Sequence, residues 1–174
     1  MADENSGPDS DDQAQPEGVP QLLVNAQYTK DLSFEAPTAP AIFAAMQEEA
    51  PDVKIGVNVD FSEFENNLFE VVLKVEAQCT VGEETAFLLE LEYAGLFTLN
   101  LDDEVKGPAL LIECPRLLFP FARNILADVS RDGGFPPLML GPMDFAAMYQ
   151  DQLQRQAENQ TPGQDQAAGQ PTEA

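Results

Sequence analysis

Residues 68–100 read LFEVVLKVEAQCTVGEETAFLLELEYAGLFTLN, and two runs in this stretch alternate apolar and polar side chains. The first run, 68–81, sets Phe69 and Val71 against Glu70; the second, 84–100, sets Leu89 and Leu91 against Glu90. A period of two is typical of β-strands with one covered face. The tetrad VGEE at 81–84 separates the runs and predicts a tight hairpin.

Two earlier segments, 22–35 and 53–61, show the same alternation, so four segments predict a mostly antiparallel sheet. In YTKDLSFEAPTAP at 28–40 we expect one face to carry Tyr28, Lys30, Leu32 and Phe34, and the other to carry Thr29, Asp31, Ser33 and Glu35. Pro37 and Pro40 then end the strand, and a short helix over 41–49 is expected to follow.

The second half of the chain is predicted to be helical. Pro115 suits the first turn of a helix over 115–131 that ends at Gly133 and bends near Pro120. A second helix is expected at about 142–157. Strands followed by helices indicate an α+β fold with a four-stranded antiparallel sheet, a long helix and a second C-terminal helix.

Composition divides the chain into three parts. Residues 1–21 and 158–174 are polar, and we expect a disordered acidic N-terminal tail and a disordered C-terminal tail, because neither can bury enough apolar surface to offset ordering entropy. Residues 22–157 are expected to form one domain.

The formal charge of −23 restricts the partners. The body between the tails is itself at about −14, so it repels nucleic acid and anionic membranes and attracts basic partners. The amino terminus, MADENSGPDSDD, resembles no signal peptide, and no apolar run reaches the ~18 residues of a spanning helix. Two distant cysteines, Cys79 and Cys114, fit a reduced chain, so we expect a cytoplasmic protein without direct membrane insertion.

Catalytic motifs are missing from the sequence. The chain has no histidine, which excludes Ser-His-Asp and Cys-His catalysis and His-ligated metals. It has no Gly-rich phosphate loop, and the run Asp102–Glu104 lacks calcium-loop spacing and is interpreted as a solvated turn. We therefore expect no enzyme, no cofactor and no metal. A carboxylate-based hydrolase and an acidic mimic of nucleic acid remain as alternatives.

Two surfaces are candidates for binding. Asp31 and Glu35 share one side of their strand, and Leu88, Glu90 and Glu92 share one side of theirs; if the strands are neighbours, these residues form one acidic patch. The alternative is an ordinary solvated sheet face.

The other surface is the run LMLGPMDFAAMY at 138–149, joined by Phe43 and Met46. Methionines beside aromatic rings can repack around many partners, or they can simply fill the core beneath the second helix.

The long helix also points to self-association. Its apolar side chains cover about 160° of the helical wheel, wider than the ~100° stripe of a one-sided surface helix. These residues are Leu118, Phe119, Phe121, Ala122, Ile125, Leu126 and Val129. We expect the surplus to pack against another copy, unless the helix lies deep in a monomeric core.

Several words of the sequence resemble SecB, the protein-export chaperone family of bacteria. They are YTKDLSFEAPTAP, FEVVLKV, GEETAFLLE, GLFTL, CPRLLFPFAR and GGFPPLMLGPMDFAAMY, and together they cover nearly all of the body in order. The resemblance implies a homotetramer built as a dimer of dimers. It also implies an ATP-independent chaperone that holds newly made precursor proteins unfolded in the cytoplasm and delivers them to the SecA motor of the translocon.

The resemblance also assigns residues. Asp31, Glu35, Leu88 and Glu90 match positions that bind SecA, largely through its basic, zinc-bearing C-terminal tail. Tyr28 and Tyr149 match aromatic positions of the client-binding grooves, and Leu89 and Leu91 match strand positions linked to client binding and subunit contact. Local chemistry adds Phe43, Met46, Met143 and Phe145 to the client-binding set.

This chain departs from the family in two respects: it has no Trp, and it carries an apparent insertion at 48–50 close to Met46. A SecB-like chaperone dedicated to a single client, such as an antitoxin, is the alternative function.

Overall fold

The computed structural model describes residues 21–159 of the chain. Four strands, β1 (Leu22–Glu35), β2 (Asp52–Glu63), β3 (Leu68–Val81) and β4 (Glu84–Leu99), form one antiparallel sheet in the order β1-β4-β3-β2. The predicted sheet is confirmed. The predicted tails lie outside the described residues, apart from Gln21 and residues 158–159.

The hairpin between β3 and β4 closes as the sequence predicts. Val81 pairs with Glu84, which leaves a two-residue turn, and Gly82 adopts a φ of +59°. A positive φ is accessible to glycine at little cost, so Gly82 suits this turn.

The strand register separates an inner face, beneath the helices, from an outer face. The inner face forms the core, and its central side chains are at most 2% exposed: Phe69, Val71, Leu73, Val75, Leu89, Leu91 and Phe97. Burial of this order is the main stabilising contribution in a domain of this size.

Strand β1 contains two irregularities, and the second changes which residues share a face. Its register against β4 shifts between Val24 and Ala26 and again between Thr29 and Asp31, so Lys30 is an extra residue in a β-bulge. After the bulge the predicted faces are right. Before it they are wrong: Tyr28, opposite Ala94, lies on the outer face and not beside Leu32.

The long helix begins earlier than predicted. It runs without interruption through α2 (Asp103–Pro108), a π-helical segment (Ala109–Glu113) and α3 (Cys114–Asp132). Asp103 and Glu104 form its first turn, so the interpretation as a solvated turn was wrong. The Cys114 N–H bonds the Ala109 carbonyl five residues back. This wider turn precedes Pro115, which cannot donate to a carbonyl four residues back.

Helix α3 packs mainly on β4 and β3 and carries the fully buried Leu118 and Leu126 into the core. Two shorter helices complete the fold, α1 (Ile42–Ala45) and α4 (Phe145–Asn159). α4 starts at Phe145 because Asp144 caps it: its Oδ1 accepts the Ala147 N–H at 3.0 Å.

Both cysteines are free and buried. Burial, and then the nearby Glu113 carboxylate, raise the pKa of the Cys114 thiol to about 12; burial also raises the pKa of Cys79. Within residues 21–159 no helix is long and apolar enough to cross a membrane.

Candidate functional site

The outer face of β1 and β4 brings the four predicted SecA-binding residues together. Asp31 lies opposite Glu92, Ser33 opposite Glu90, and Glu35 opposite Leu88. Residues that pair directly across two strands point to the same side of a sheet. The condition set by the sequence, that the two strands are neighbours, is therefore met, and we call Asp31, Glu35, Leu88 and Glu90 the acidic face.

Charge on the acidic face is largely uncompensated. Lys74 on β3 neutralises only the neighbouring carboxylates of Asp60 and Glu92. Its Nζ lies 3.0 Å from Asp60 Oδ2 and 3.2 Å from Glu92 Oε1. In the described part of the chain no ion pair reaches Asp31, Glu35 or Glu90. Leu88 is 37% exposed among them. The surface thus offers free carboxylates around an exposed apolar side chain.

A hydrogen-bonded cluster borders the acidic face at the bulge. The Tyr28 hydroxyl donates to Glu70 Oε1, and Lys30 Nζ lies 2.7 Å from Glu70 Oε2. The bond to Lys30, and then that to Tyr28, lower the pKa of Glu70, and the same carboxylate raises the pKa of Tyr28 to about 12. The extra residue of the bulge is thus tied to β3, which helps to fix the strand where its faces are set.

On the inner face, β2 is an edge strand that α3 does not cover, although the π-helical segment of the long helix contacts it. Strands lie about 4.8 Å apart and a helix is about 10 Å wide, so one helix covers about two strands. Since α3 lies over β4 and β3, apolar side chains of β2 stay open: Ile55 is 44% exposed and Phe61 47% exposed.

A groove runs between the inner face of β2 and the crossover segment 133–144 with α4. It consists of two adjoining cavities, of about 360 and 380 Å³, that share Val57 and Met148. The first cavity is apolar, and its further lining includes Ile55, Met139, Leu140, Pro142 and Met143. The second is mixed, and its further lining includes Val59, Leu111, Tyr149, Asp151 and Arg155. We call both together the β2 groove.

The roof of the β2 groove is fixed to the end of α3 by one buried hydroxyl. Ser130 Oγ donates to the Leu126 carbonyl at 2.8 Å and accepts the Leu138 N–H at 2.8 Å, and the Phe135 N–H bonds the Ser130 carbonyl at 3.1 Å. Met139, which follows directly, is 62% exposed. The crossover segment is therefore held at its start and presents open apolar surface beyond it.

The predicted client-binding residues are dispersed. Met143 and Tyr149 line the β2 groove. Phe43 lies at the start of the crossover segment, where its ring is 5.2 Å from that of Phe135, and Met46, directly after α1, packs half-buried against the core. Three others, Leu89, Leu91 and Phe145, are at most 1% exposed, and Tyr28 lies on the opposite face of the sheet. Only the first four therefore lie on the helix side with surface that a client could reach in this conformation.

Sequence reasoning missed the β2 side of the groove, namely Ile55, Val57 and Val59. Their alternation predicted the strand, but not that its inner face stays open. A usable signal existed: one long helix is too narrow for four strands, so an edge strand that is apolar on its inner face has to find another cover.

A further apolar surface lies along one side of α3, at the margin of the core. Leu117 is 42% exposed and Phe121 52% exposed, and the Phe121 ring stacks on that of Tyr93 with centroids 6.2 Å apart. Leu117 and Phe121 are one helical turn apart, so together they leave an apolar strip of α3 exposed.

Within residues 21–159 no group of three or more Cys, Asp or Glu side chains is placed to hold a metal ion. An open apolar groove on one face and an uncompensated acidic face on the other together describe a protein that binds other proteins. This is the class to which chaperones belong.

Comparisons with known proteins identify the family. The model of the family described as preprotein translocase subunit SecB matches residues 13–156. A protein-export protein SecB of Paramagnetospirillum magneticum is 54% identical over 80% of this chain and 90% of its own length. That of Rhodospirillum rubrum is 47% identical over 97% of this chain and 99% of its own. The chain belongs to the SecB family, and it is a protein-export chaperone.

A solved structure shows the same fold. The SecB-like chaperone of Mycobacterium tuberculosis, in complex with a peptide from the HigA1 antitoxin, superposes with a TM-score of 0.60 over 71% of this chain and 91% of that one. Its sequence identity is 15%, so this likeness concerns the fold alone. The alternative of a single-client chaperone is thus less well supported than protein export.

Proposed function

We propose that this chaperone holds newly made precursor proteins unfolded in the cytoplasm without ATP, by binding their extended apolar segments in the β2 groove. The observation that carries the proposal is the open inner face of β2, which places apolar side chains and an unpaired strand edge on the same groove. A segment lying there gains apolar burial from Ile55 and Val57 and can also add main-chain hydrogen bonds to β2. No covalent step and no cofactor is needed.

The groove also favours client segments that are apolar and basic. Met139, Met143 and Met148 line it, and unbranched thioethers adapt to side chains of different shape. The strong negative charge of the body opposes acidic segments and attracts basic ones. Folded proteins hide their apolar segments, so they are released while slow-folding precursors are retained.

We assign the acidic face to SecA, with the basic, zinc-bearing C-terminal tail of that motor as the main contact. Three carboxylates that have no basic partner among the described residues, and one exposed leucine, fit a short basic segment with an apolar residue. Because this face lies on the opposite side of the sheet from the β2 groove, the motor can dock while a client is still bound.

We propose a homotetramer, arranged as a dimer of dimers, as the working form. Support comes from the exposed Leu117 and Phe121 of α3, which a second copy could cover. Several β2 grooves on one assembly would let weak contacts act together at high effective concentration.

The test follows the spontaneous refolding of a slow-folding secretory precursor while the chaperone is added without nucleotide. We expect refolding to stop at about one tetramer per client. Unhindered refolding at large chaperone excess would contradict a general holding function, and it would favour a dedicated single-client chaperone.

A further inference from the structure

The wall of the β2 groove contains an unusual contact between α2 and α4. Gly107 lies inside α2, although glycine is the least favourable residue for a helix interior apart from proline. A Cβ atom built at Gly107 would lie 3.1 Å from the hydroxyl oxygen of Tyr149 and 3.9 Å from its Cζ. The first distance is tighter than ordinary van der Waals contact, so the tyrosine occupies the space that a side chain would need.

Tyr149 belongs at the same time to the groove. It lines the mixed cavity together with Leu111, which follows Gly107 by one helical turn and so lies on the same side of the helix. The tyrosine ring thus has α2 on one side and the space of the groove on the other. How far the ring withdraws toward α2 decides how much of that space is left.

We propose that Gly107 is a specificity-determining residue of the β2 groove, because its missing side chain lets Tyr149 withdraw against α2. A Cβ atom at position 107 requires the Tyr149 hydroxyl to give way by a few tenths of an ångström, toward the cavity that the ring lines. The groove then accepts bulky apolar client side chains less well. This inference rests on the proposed function of the groove and adds a residue that touches no client itself.

A purely structural role for Gly107 predicts that Gly107→Ala loses client affinity because it lowers thermal stability. Groove shaping predicts that stability stays the same or rises, because alanine favours helix over glycine and the Tyr149 side chain can move. A loss of client affinity without a loss of thermal stability therefore separates groove shaping from a folding defect.

The experiment compares full-length wild type, Gly107→Ala, Tyr149→Phe and the double variant. For each we measure the melting temperature and the Kd for an unfolded secretory precursor. For Gly107→Ala we expect the Kd to rise by about fivefold, a change that a single contact can cause. We expect the melting temperature not to fall. In the Tyr149→Phe background the same change should alter the Kd by less than about twofold, because the hydroxyl that clashes is gone.

A spectroscopic readout tests the contact directly. The chain has three tyrosines and no tryptophan, so fluorotyrosine labelling gives three fluorine resonances. Gly107→Ala should shift that of Tyr149 and leave those of Tyr28 and Tyr93 in place. Gly56→Ala is the matched control for the fluorine spectrum. Gly56 faces the outer side of β2, and a Cβ atom there would lie 4.0 Å from the nearest atoms of Glu76 on β3, an ordinary contact distance.

The outcomes are distinguishable. If the wild type fails to bind the precursor, the proposed function and this inference both fall. If the wild type binds and Gly107→Ala binds equally well, only the inference is overturned. Additive effects of Gly107→Ala and Tyr149→Phe on the Kd would also overturn it, because the two residues would then act independently.

Discussion

The two faces of the single sheet differ in how their side chains are satisfied. On the outer face of β1 and β4, Asp31, Glu35 and Glu90 have no ion-pair partner among the described residues and lie around the exposed Leu88. On the inner face of β2, apolar side chains such as Ile55 and Phe61 stay exposed because α3 does not lie over them. Both surfaces are incomplete, but one lacks opposite charge and the other lacks apolar cover.

Under the proposed function, this difference lets one sheet serve two partners that do not compete. We then expect binding to the acidic face to depend on Coulomb attraction and to weaken when salt shortens the Debye length below ~10 Å. We expect binding in the β2 groove to depend on apolar burial, which moderate salt changes little. Since neighbouring side chains of a strand point to opposite faces, single substitutions can alter one surface and spare the other.

The largest expected effect comes from a charge in the middle of the groove. Val57 lines both cavities, so Val57→Asp would place a carboxylate in the middle of the groove, against the apolar cavity. We expect the Kd for an unfolded precursor to rise by about hundredfold, from isothermal titration calorimetry. Gln78→Asp adds the same charge to the outer face and should leave that Kd within about twofold. Equal losses in both variants would mean that net charge, not the groove, governs client binding.

A charge reversal on the acidic face should have a smaller effect, and it should change the affinity for SecA and not for the client. For Glu90→Lys we expect the Kd for a peptide from the SecA tail to rise by about tenfold at low salt, with client affinity unchanged. Wild-type affinity for the tail should also fall steadily with ionic strength. Glu65→Lys, in the turn between β2 and β3 at the other end of the sheet, is the control with the same change in charge. The assignment fails if tail binding is independent of salt or if both variants bind normally.

The smallest effect concerns the cluster beside the bulge. Because Glu70 raises the folded-state pKa of Tyr28 from 10.0 to about 12, the contribution of this phenol to stability is fully present below pH 10 and is lost as pH rises toward 12. Tyr28→Phe should therefore show a shallower loss of unfolding free energy between pH 10 and 12. Denaturant unfolding at several pH values measures this, and phenolate absorbance should place one tyrosine of the wild type near 12. Equal slopes for the two proteins would show that Tyr28 contributes nothing to the pH dependence of the unfolding free energy.

Much of the sheet could be predicted because its information is local. Period-two alternation predicted both ends of β1 and β3 correctly and those of β4 to within one residue. Once β1 and β4 are neighbours, Glu35 lies opposite Leu88. The acidic face needed only this alternation and one neighbour relation. It was therefore within reach of sequence reasoning.

The parts that were missed depend on tertiary relations. Gly107 and Pro108 disfavour a helix locally, so the start of the long helix at Asp103 was not expected. The bulge at Lys30 reverses the side of Tyr28 without changing residue types. The open face of β2 follows from where α3 lies across the sheet, and no single segment encodes that position.

The bulges of β1 also set which length changes in this strand are permissible during evolution. Every residue inserted into or deleted from a regular strand exchanges its two faces, which here would turn the acidic residues inward. At Asn25 and Lys30 the strand already accommodates one residue more than its partner. Loss of Lys30 would therefore leave Asp31 and Glu35 facing outward and Leu32 facing inward, at the cost of its bond to Glu70. Gaps in an alignment of relatives should accordingly collect at these two positions and avoid the residues between and after them.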